Sequence, residues 1–369
     1  MTHTSDFIVI GAGIAGTSAA AFLSETASVT VLEAEGRPGY HSTGRSAAIY
    51  IRNYGNATLR ALNDASHGFL ENPEGVSDAS LLKQRGELIV AGEDETEALA
   101  AYCAGSQGLE DITVAEARAM VPILSSDYLA AAAYEGSASD IDVDRFLQGL
   151  LRLLKGRGGR LVTDAGAQTI SRSGGTWQVD TPAGRFSAPV LIDAAGAWAD
   201  TVAVMAGARP LRIQPMRRTA AILPAPDGHN VDRWPLFASA GELWYAKPQS
   251  GKLMVSPADE DTVEAHDAFV DDMVLAEGLH RYEQAVTTQV TRVEASWAGL
   301  RSFAPDRTPV CGFDPACDGF FWLAGQGGYG VQTAPALGRL TAQLCLGETP
   351  DIPSPTVEAV APARFAAMA

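Results

Sequence analysis

The first apolar run, Phe7-Ile8-Val9-Ile10, is short and does not alternate, the pattern of a strand buried on both faces of a parallel sheet. It leads directly into Gly11-Ala12-Gly13-Ile14-Ala15-Gly16, and an alanine-rich helical pattern then continues to about Glu25. Residues 28–32 form a second apolar run, closed by Glu33. Strand, glycine turn, helix and strand within about thirty residues make one βαβ unit.

Further along, residues 36–48 read as a turn-rich loop opening into a helix, and residues 56–70 as a helix. A strand is expected at 86–91 and helices at 114–121 and 141–155. Short strands at 159–162, 177–181, 185–187 and 190–193 follow, the last meeting a second small-residue turn, Ala194-Ala195-Gly196-Ala197-Trp198. From 211 to 291 the texture changes to strand-like stretches (220–223, 243–247, 253–256) separated by Pro, Gly and Asp turns, with one helix near 274–285. That is the pattern of a mostly antiparallel sheet. From 299 the alternating α/β texture returns, with a strand at 320–323, the turn Gly325-Gln326-Gly327-Gly328-Tyr329-Gly330 and a helix over 333–346. The fold class expected is therefore mixed α/β (α+β). A discontinuous dinucleotide-binding domain of residues 1–80, 141–210 and 299–369 carries a substrate domain of residues 81–140 and 211–298.

Composition adds bounds. Apolar residues make up 46% of the 369-residue chain and charged residues 19%, enough to bury the cores of roughly two domains at about 100–200 residues each. The net charge of −17 repels phosphate backbones and anionic lipid, so nucleic acid is not an expected partner. Cys103, Cys311, Cys317 and Cys345 form no C-x-x-C pair and no metal-ligand spacing, so reduced thiols and no metal are expected. No apolar run reaches the ~18–20 residues of a membrane span, and Met1–Phe7 lacks the basic start of a signal peptide. The expected compartment is the cytoplasm.

Gly11, Gly13 and Gly16 form Gly-x-Gly-x-x-Gly in its required context, with a strand before, a helix after and the acidic Glu33 following. Gly11 permits the tight turn, Gly13 lets backbone approach a pyrophosphate, and Gly16 lets helix and strand pack closely. The phosphates then face the positive end of the helix, while Glu33 accepts from ribose hydroxyls. This fingerprint specifies a dinucleotide without separating FAD from NAD. The turn at 325–330 places a second helix start where its dipole would stabilise negative charge on a reduced flavin ring.

Four motifs occur in order: His41-Ser42-Thr43-Gly44-Arg45-Ser46-Ala47-Ala48, Ala194-Ala195-Gly196-Ala197-Trp198, Trp297-Ala298-Gly299-Leu300-Arg301 and Gln326-Gly327-Gly328-Tyr329-Gly330. Together they resemble the D-amino-acid oxidase/glycine oxidase family of FAD enzymes, and within it the bacterial D-arginine dehydrogenases, from Phe7 to about Leu346. The resemblance implies a Rossmann-like domain that binds FAD; covalent flavin occurs in relatives, but nothing in this sequence calls for it, so non-covalent FAD is expected. Gly11, Gly13, Ile14, Ala15, Gly16, Glu33 and Ala34 would hold the dinucleotide, with the Ala167 backbone at the adenine and Ala195, Gly196 and Trp198 beside it. Ser42, Thr43, Gly44, Arg45, Ser46, Ala47 and Ala48 would line the flavin, with Ser46 and Ala47 near its reactive N5 edge. Gln326, Gly327, Gly328, Tyr329, Gly330 and Val331 would cover the pyrimidine end.

For the substrate, the resemblance makes Arg301 the bidentate clamp on a carboxylate, with Tyr245 and Arg218 (not Arg217) as further contacts and Gly328 close by. Glu87 matches the carboxylate that pairs with a cationic substrate side chain, and Tyr54 matches a lid-loop tyrosine. Ile49 stands where that relative has a histidine, and Ile51 replaces a threonine; both make the pocket more apolar and point toward lysine or a bulky apolar side chain as well as arginine. The implied reaction is oxidation of a D-amino acid by hydride transfer from Cα to flavin N5, then hydrolysis to keto acid and ammonia. No general base is assigned, because the substrate amine reacts in its neutral form. Electrons would pass to a quinone, an electron-transfer partner or oxygen. Period two places Lys247 on the face of Tyr245, which keeps open oxidation of glycine, sarcosine or another secondary amine by oxygen. A non-catalytic flavoprotein subunit is a further alternative.

Overall fold

The computed structural model describes residues 2–368. Phe7–Ile10, all four residues buried, lies inside a six-stranded sheet between Val29–Leu32 and Val190–Asp193. Arg160–Val162 extends the sheet on one side and Phe320–Ala324 on the other, all five strands parallel, and Val310–Phe313 closes the edge antiparallel. The chain leaves Phe7–Ile10 with neighbours on both sides, and such a switch point opens a crevice at the carboxyl ends of the strands. The helix Ile14–Leu23 packs there against the helix Gly330–Leu346. Alanines 19–21 are fully buried between them, and a Cβ on Gly338 would come within 2.7 Å of Ser18 Cβ.

The second layer is a nine-stranded sheet. Its order is Asp261–Thr262, Gln214–Leu223, Lys252–Ser256, Tyr245–Gln249, Leu236–Ser239, Glu87–Ala91, Ala131–Glu135 and Leu109–Ile112, with Ala295–Phe303 also paired to Gln214–Leu223. Every pairing is antiparallel except Leu236–Ser239 with Glu87–Ala91. Side chains alternate across it. Leu88, Val90, Phe237, Ala246, Leu253 and Val255 pack into a core with the helix Asp272–Ala285, leaving the other face for the site. A three-stranded sheet (Ile49–Tyr50, Ser139–Ile141, Leu82–Gln84) and a four-stranded one (Thr2–Thr4, Gly184–Ala188, Thr176–Thr181, Thr169–Ser173) complete the fold.

The loop after Glu33 departs from expectation. Residues 36–48 do not open into a helix but run through turns to Arg45 and end in the two-residue strand Ile49–Tyr50. Its partners are tertiary: Ser42 Oγ donates to Leu300 O (2.6 Å) and Ile141 N–H donates to Ala48 O (2.9 Å). No helix among the described residues is long and apolar enough to cross a membrane.

Candidate active site

The glycine turn is built as its sequence requires. Gly11 has φ +101°, and a Cβ on it would lie 2.5 Å from Ala194 O. A Cβ on Gly16 would lie 2.1 Å from Gly11 O, so Gly16 packs the helix and does not face the crevice. Ile14 N–H donates to Thr43 Oγ1 (3.0 Å), which ties the 36–48 loop to the helix start. Glu33 braces the turn, Oε2 accepting from Ala12 N–H (2.7 Å) and Oε1 from Glu35 N–H (2.9 Å); each oxygen keeps a lone pair.

Above this turn lies a cavity of about 430 Å³. Gly11, Gly13, Ile14, Ala15, Glu33 and Ala34 line one side, and Ala167, Ala195, Gly196 and Trp198 another. Gln326, Gly327 and Gly330 close it. Two buried polar atoms in its wall, Ser302 Oγ and Gln326 Nε2, have no hydrogen-bond partner in the protein. A mostly apolar cavity lined by a glycine turn and by orphaned polar atoms fits a dinucleotide that carries a polar ring system.

A second cavity of about 200 Å³ adjoins it, with Ile14, Ser42, Thr43, Leu300, Gly327 and Gly330 lining both. Ser46, Ala47, Ala48, Ile49, Gly328 and Val331 line the smaller one. Ala48 has φ +56°, uncommon for a residue with a Cβ, and Lys247 holds this bend. Lys247 Nζ donates to Ala47 O (2.8 Å) and pairs with Asp140 (2.9 Å), so its charge is occupied behind the loop. Arg45 also spends its guanidinium on the fold, donating to Ala268 O and Ala298 O (3.0 Å each) and pairing with Asp267. Gly44 lines neither cavity; a Cβ there would lie 2.6 Å from Gly39 O, which makes it a turn residue. Tyr329 lines neither and packs against Tyr54, ring centroids 4.6 Å apart and planes tilted by 50°.

The smaller cavity gathers the expected substrate residues. Arg301, Arg218, Tyr245, Tyr54, Glu87, Ile49 and Gly328 all line it. Arg301 Nη1 donates to Tyr54 Oη (3.4 Å), and a Cβ on Gly328 would fall 2.8 Å from that nitrogen, so only glycine lets the guanidinium lie there. Arg218 is buried, with Nε on Asp259 O (2.7 Å) and Nη2 on Glu260 (2.9 Å). Burial, reinforced by neighbouring Arg301, pulls its pKa below the usual arginine range. Arg217 points to the other side, pairing with Asp261 (2.7 Å) and Asp271 (3.6 Å). Glu87 is 6% exposed. Its carboxyl is pushed up to about 8 by burial and by Glu135, and Tyr102 Oη donates to it (3.2 Å). Sequence reasoning missed Tyr102 and Glu242 in this wall, and Glu135 behind it; nothing in their local sequence marks them.

The FAD-dependent oxidoreductase family DAO matches residues 6–344. The chain belongs to this family. Among curated relatives, glycine oxidase from Geobacillus kaustophilus is 24% identical over 360 residues, 93% of each chain. FAD-dependent oxidoreductase domain-containing protein 1 from Xenopus laevis is 28% identical over 176 residues, a match to 42% of this chain and 34% of that one, so the matched part spans about a third of that relative's length. Among solved structures, L-proline dehydrogenase from P. horikoshii superposes with a TM-score of 0.86 at 23% identity, covering 100% of this chain and 99% of the other. The DAO fold thus accounts for the mixed α/β architecture, and the cofactor of the family is FAD. As a DAO enzyme the protein is an FAD-dependent oxidoreductase.

Proposed function

We propose that the protein oxidises a D-amino acid, with a basic side chain such as D-arginine or D-lysine favoured, to the imino acid, which water hydrolyses to keto acid and ammonia. One observation carries the side-chain preference: a buried carboxyl and an arginine pair line the same cavity. Glu87 and Arg218 lie on strands four pairings apart in the sheet, roughly 19 Å between backbones at about 4.8 Å per strand. Their side chains both reach into the gap, which leaves a span suited to an amino acid held by its carboxylate at one end and a long cationic side chain at the other. FAD, bound without a covalent link, supplies the acceptor for the hydride lost from Cα. Arg301, Arg218 and Tyr245 hold the carboxylate, the Tyr54 hydroxyl accepts from Arg301 beside it, and the apolar walls of Ile49 and Ile51 exclude water from the aliphatic chain. The D configuration follows from the resemblance to D-amino-acid oxidases.

The name of the glycine oxidase relative supports a second reading, oxidation of glycine or a secondary amine by oxygen. Lys247 lends it no weight, because its ammonium is tied to Ala47 and Asp140. Anaerobic mixing with D- and L-amino acids, glycine and sarcosine, followed by flavin absorbance, tests both. Bleaching fastest with D-lysine or D-arginine is expected. Bleaching only by glycine or sarcosine, with peroxide formed in air, would replace the proposal, and no bleaching by any amine would indicate a non-catalytic subunit.

A further inference from the structure

Glu135 does not line the cavity, yet it is fully buried and sits directly across the strand pair from Glu87. Directly opposed residues of an antiparallel pair project from the same face, and like charges there repel. Three donors converge on Glu135: Ser137 Oγ (2.8 Å) and Arg52 N–H (3.2 Å) on one oxygen, and Asn53 Nδ2 (2.7 Å) on the other. A group that accepts from every neighbour is bonded as a carboxylate. The groups facing Glu87 are Glu135 from the adjoining strand, Tyr102 from the helix Thr96–Cys103, and Glu242 from the turn before Tyr245. Among the described residues no cation faces it, so two carboxylates and a phenol surround a carboxyl that has left water.

We propose that Glu135 is a positioning residue for side-chain recognition, and that its buried charge, added to the burial of Glu87 itself, keeps Glu87 protonated in the empty pocket so that capture of a cationic side chain expels one proton. The step balances: the Glu87 carboxyl loses H⁺ to solvent, and the carboxylate formed pairs with the ammonium or guanidinium that arrives. This rests on the reading of Glu87 as the side-chain contact. A neutral side chain meets a neutral carboxyl and exchanges no proton. The hydrogen bonds of Glu135 to Arg52 and Asn53 also fix the segment that carries Tyr54, with Asn63 Nδ2 donating to the carbonyls of Ile51, Arg52 and Tyr54 from below. The Tyr54 segment is thereby a held wall.

The test uses the FAD-loaded protein and two unreactive ligands, ε-aminocaproate and caproate, which share a carboxylate and chain but differ in the terminal ammonium. Calorimetry between pH 6 and 9 gives the ratio of their affinities. With the Glu87 carboxyl at about 8, the ammonium preference should rise with pH through a midpoint at about 8 and level off toward pH 9, being about tenfold below its plateau at pH 7. Titrations at pH 7 in buffers of different ionisation enthalpy should show about 0.9 proton released with ε-aminocaproate and none with caproate. Glu135→Gln should move the plateau down by a unit or more and raise the preference at pH 7 about fivefold. An unmoved plateau in Glu135→Gln, or no proton release from the wild-type protein, overturns the proposal while leaving Glu87 as the side-chain contact. If ε-aminocaproate binds no better than caproate at any pH, or Glu87→Gln leaves the preference intact, the reading of Glu87 itself fails. The wild-type proton count decides whether Glu87 is protonated in the empty pocket even if Glu135→Gln does not fold, and Glu135→Asp, which keeps the charge, should then leave the plateau in place.

Discussion

Replacing Arg301 by alanine should cost more than any other single change in the smaller cavity. Arg301 Nη1 meets Tyr54 Oη, a neutral group, and among the described residues no carboxylate forms an ion pair with Arg301. The backbone of Gly328 lies against the guanidinium. A substrate carboxylate would complete a fork with two parallel N–H bonds in a pocket shielded from water. Removing one partner of such a pair costs ~3–5 kcal/mol, and Arg218, which remains, keeps the loss near the lower end. At about 1.4 kcal/mol per decade, kcat/KM should fall roughly 10²–10³-fold. Most of that should appear in KM, with a smaller drop in kcat because Cα is less well placed. Arg301→Lys should recover only part, since an ammonium lacks the planar fork. The measurement is anaerobic rapid mixing with flavin absorbance as readout, on protein whose FAD content and melting temperature match the wild type. A kcat/KM within threefold of wild type for Arg301→Ala would refute the carboxylate assignment.

Three other substitutions probe the frame around the site. Gly11→Ala forces a Cβ into a backbone at φ +101° and to 2.5 Å from Ala194 O, so the purified protein should carry little flavin, read from its absorbance ratio. Gly328→Ala should push the Arg301 guanidinium aside and lower kcat/KM about tenfold, roughly the 1.4 kcal/mol of a misplaced charged hydrogen bond, with FAD content unchanged. Lys247→Met leaves the Ala47 carbonyl without its donor and Asp140 with Arg85 as its remaining cation. Stability should drop by about 3 kcal/mol in denaturant melts, and the flavin spectrum should change as the 46–48 bend relaxes; an unaltered spectrum and midpoint would contradict the clamp.

The dinucleotide crevice was legible because its signal is local. Three glycines, an apolar run and Glu33 lie within one supersecondary unit, and the physics of a tight turn and a close phosphate leaves few alternatives. Arg218 and Arg301 were legible through the family resemblance, and the structure adds why Arg217 is excluded: neighbouring residues of a strand face opposite ways. The strand Ala131–Glu135 went unread because Ala-Ala-Ala-Tyr-Glu carries no β preference; it is a strand since Glu87–Ala91 and Leu109–Ile112 flank it. The helix expected within 36–48 failed for the same kind of reason, as Ser42 and Thr43 bond to residues far along the chain. Glu135 and Tyr102 had no sequence mark, because what matters about each is its neighbour on another element.

The six-stranded sheet has a consequence for how the enzyme is made. Its strands come from positions between 7 and 324, and the helix that packs on Ile14–Leu23 ends at Leu346. A ribosome must therefore have released residue 346 before the crevice for FAD exists. Val29–Leu32 can pair with Phe7–Ile10 early, but the latter's second strand partner, Val190–Asp193, and the helix Gly330–Leu346 come much later, and until then apolar surface stays open, the state in which chains aggregate or need a chaperone. Cofactor loading on this topology is a late event, and flavin supply should govern the yield of folded protein more than the rate of its synthesis.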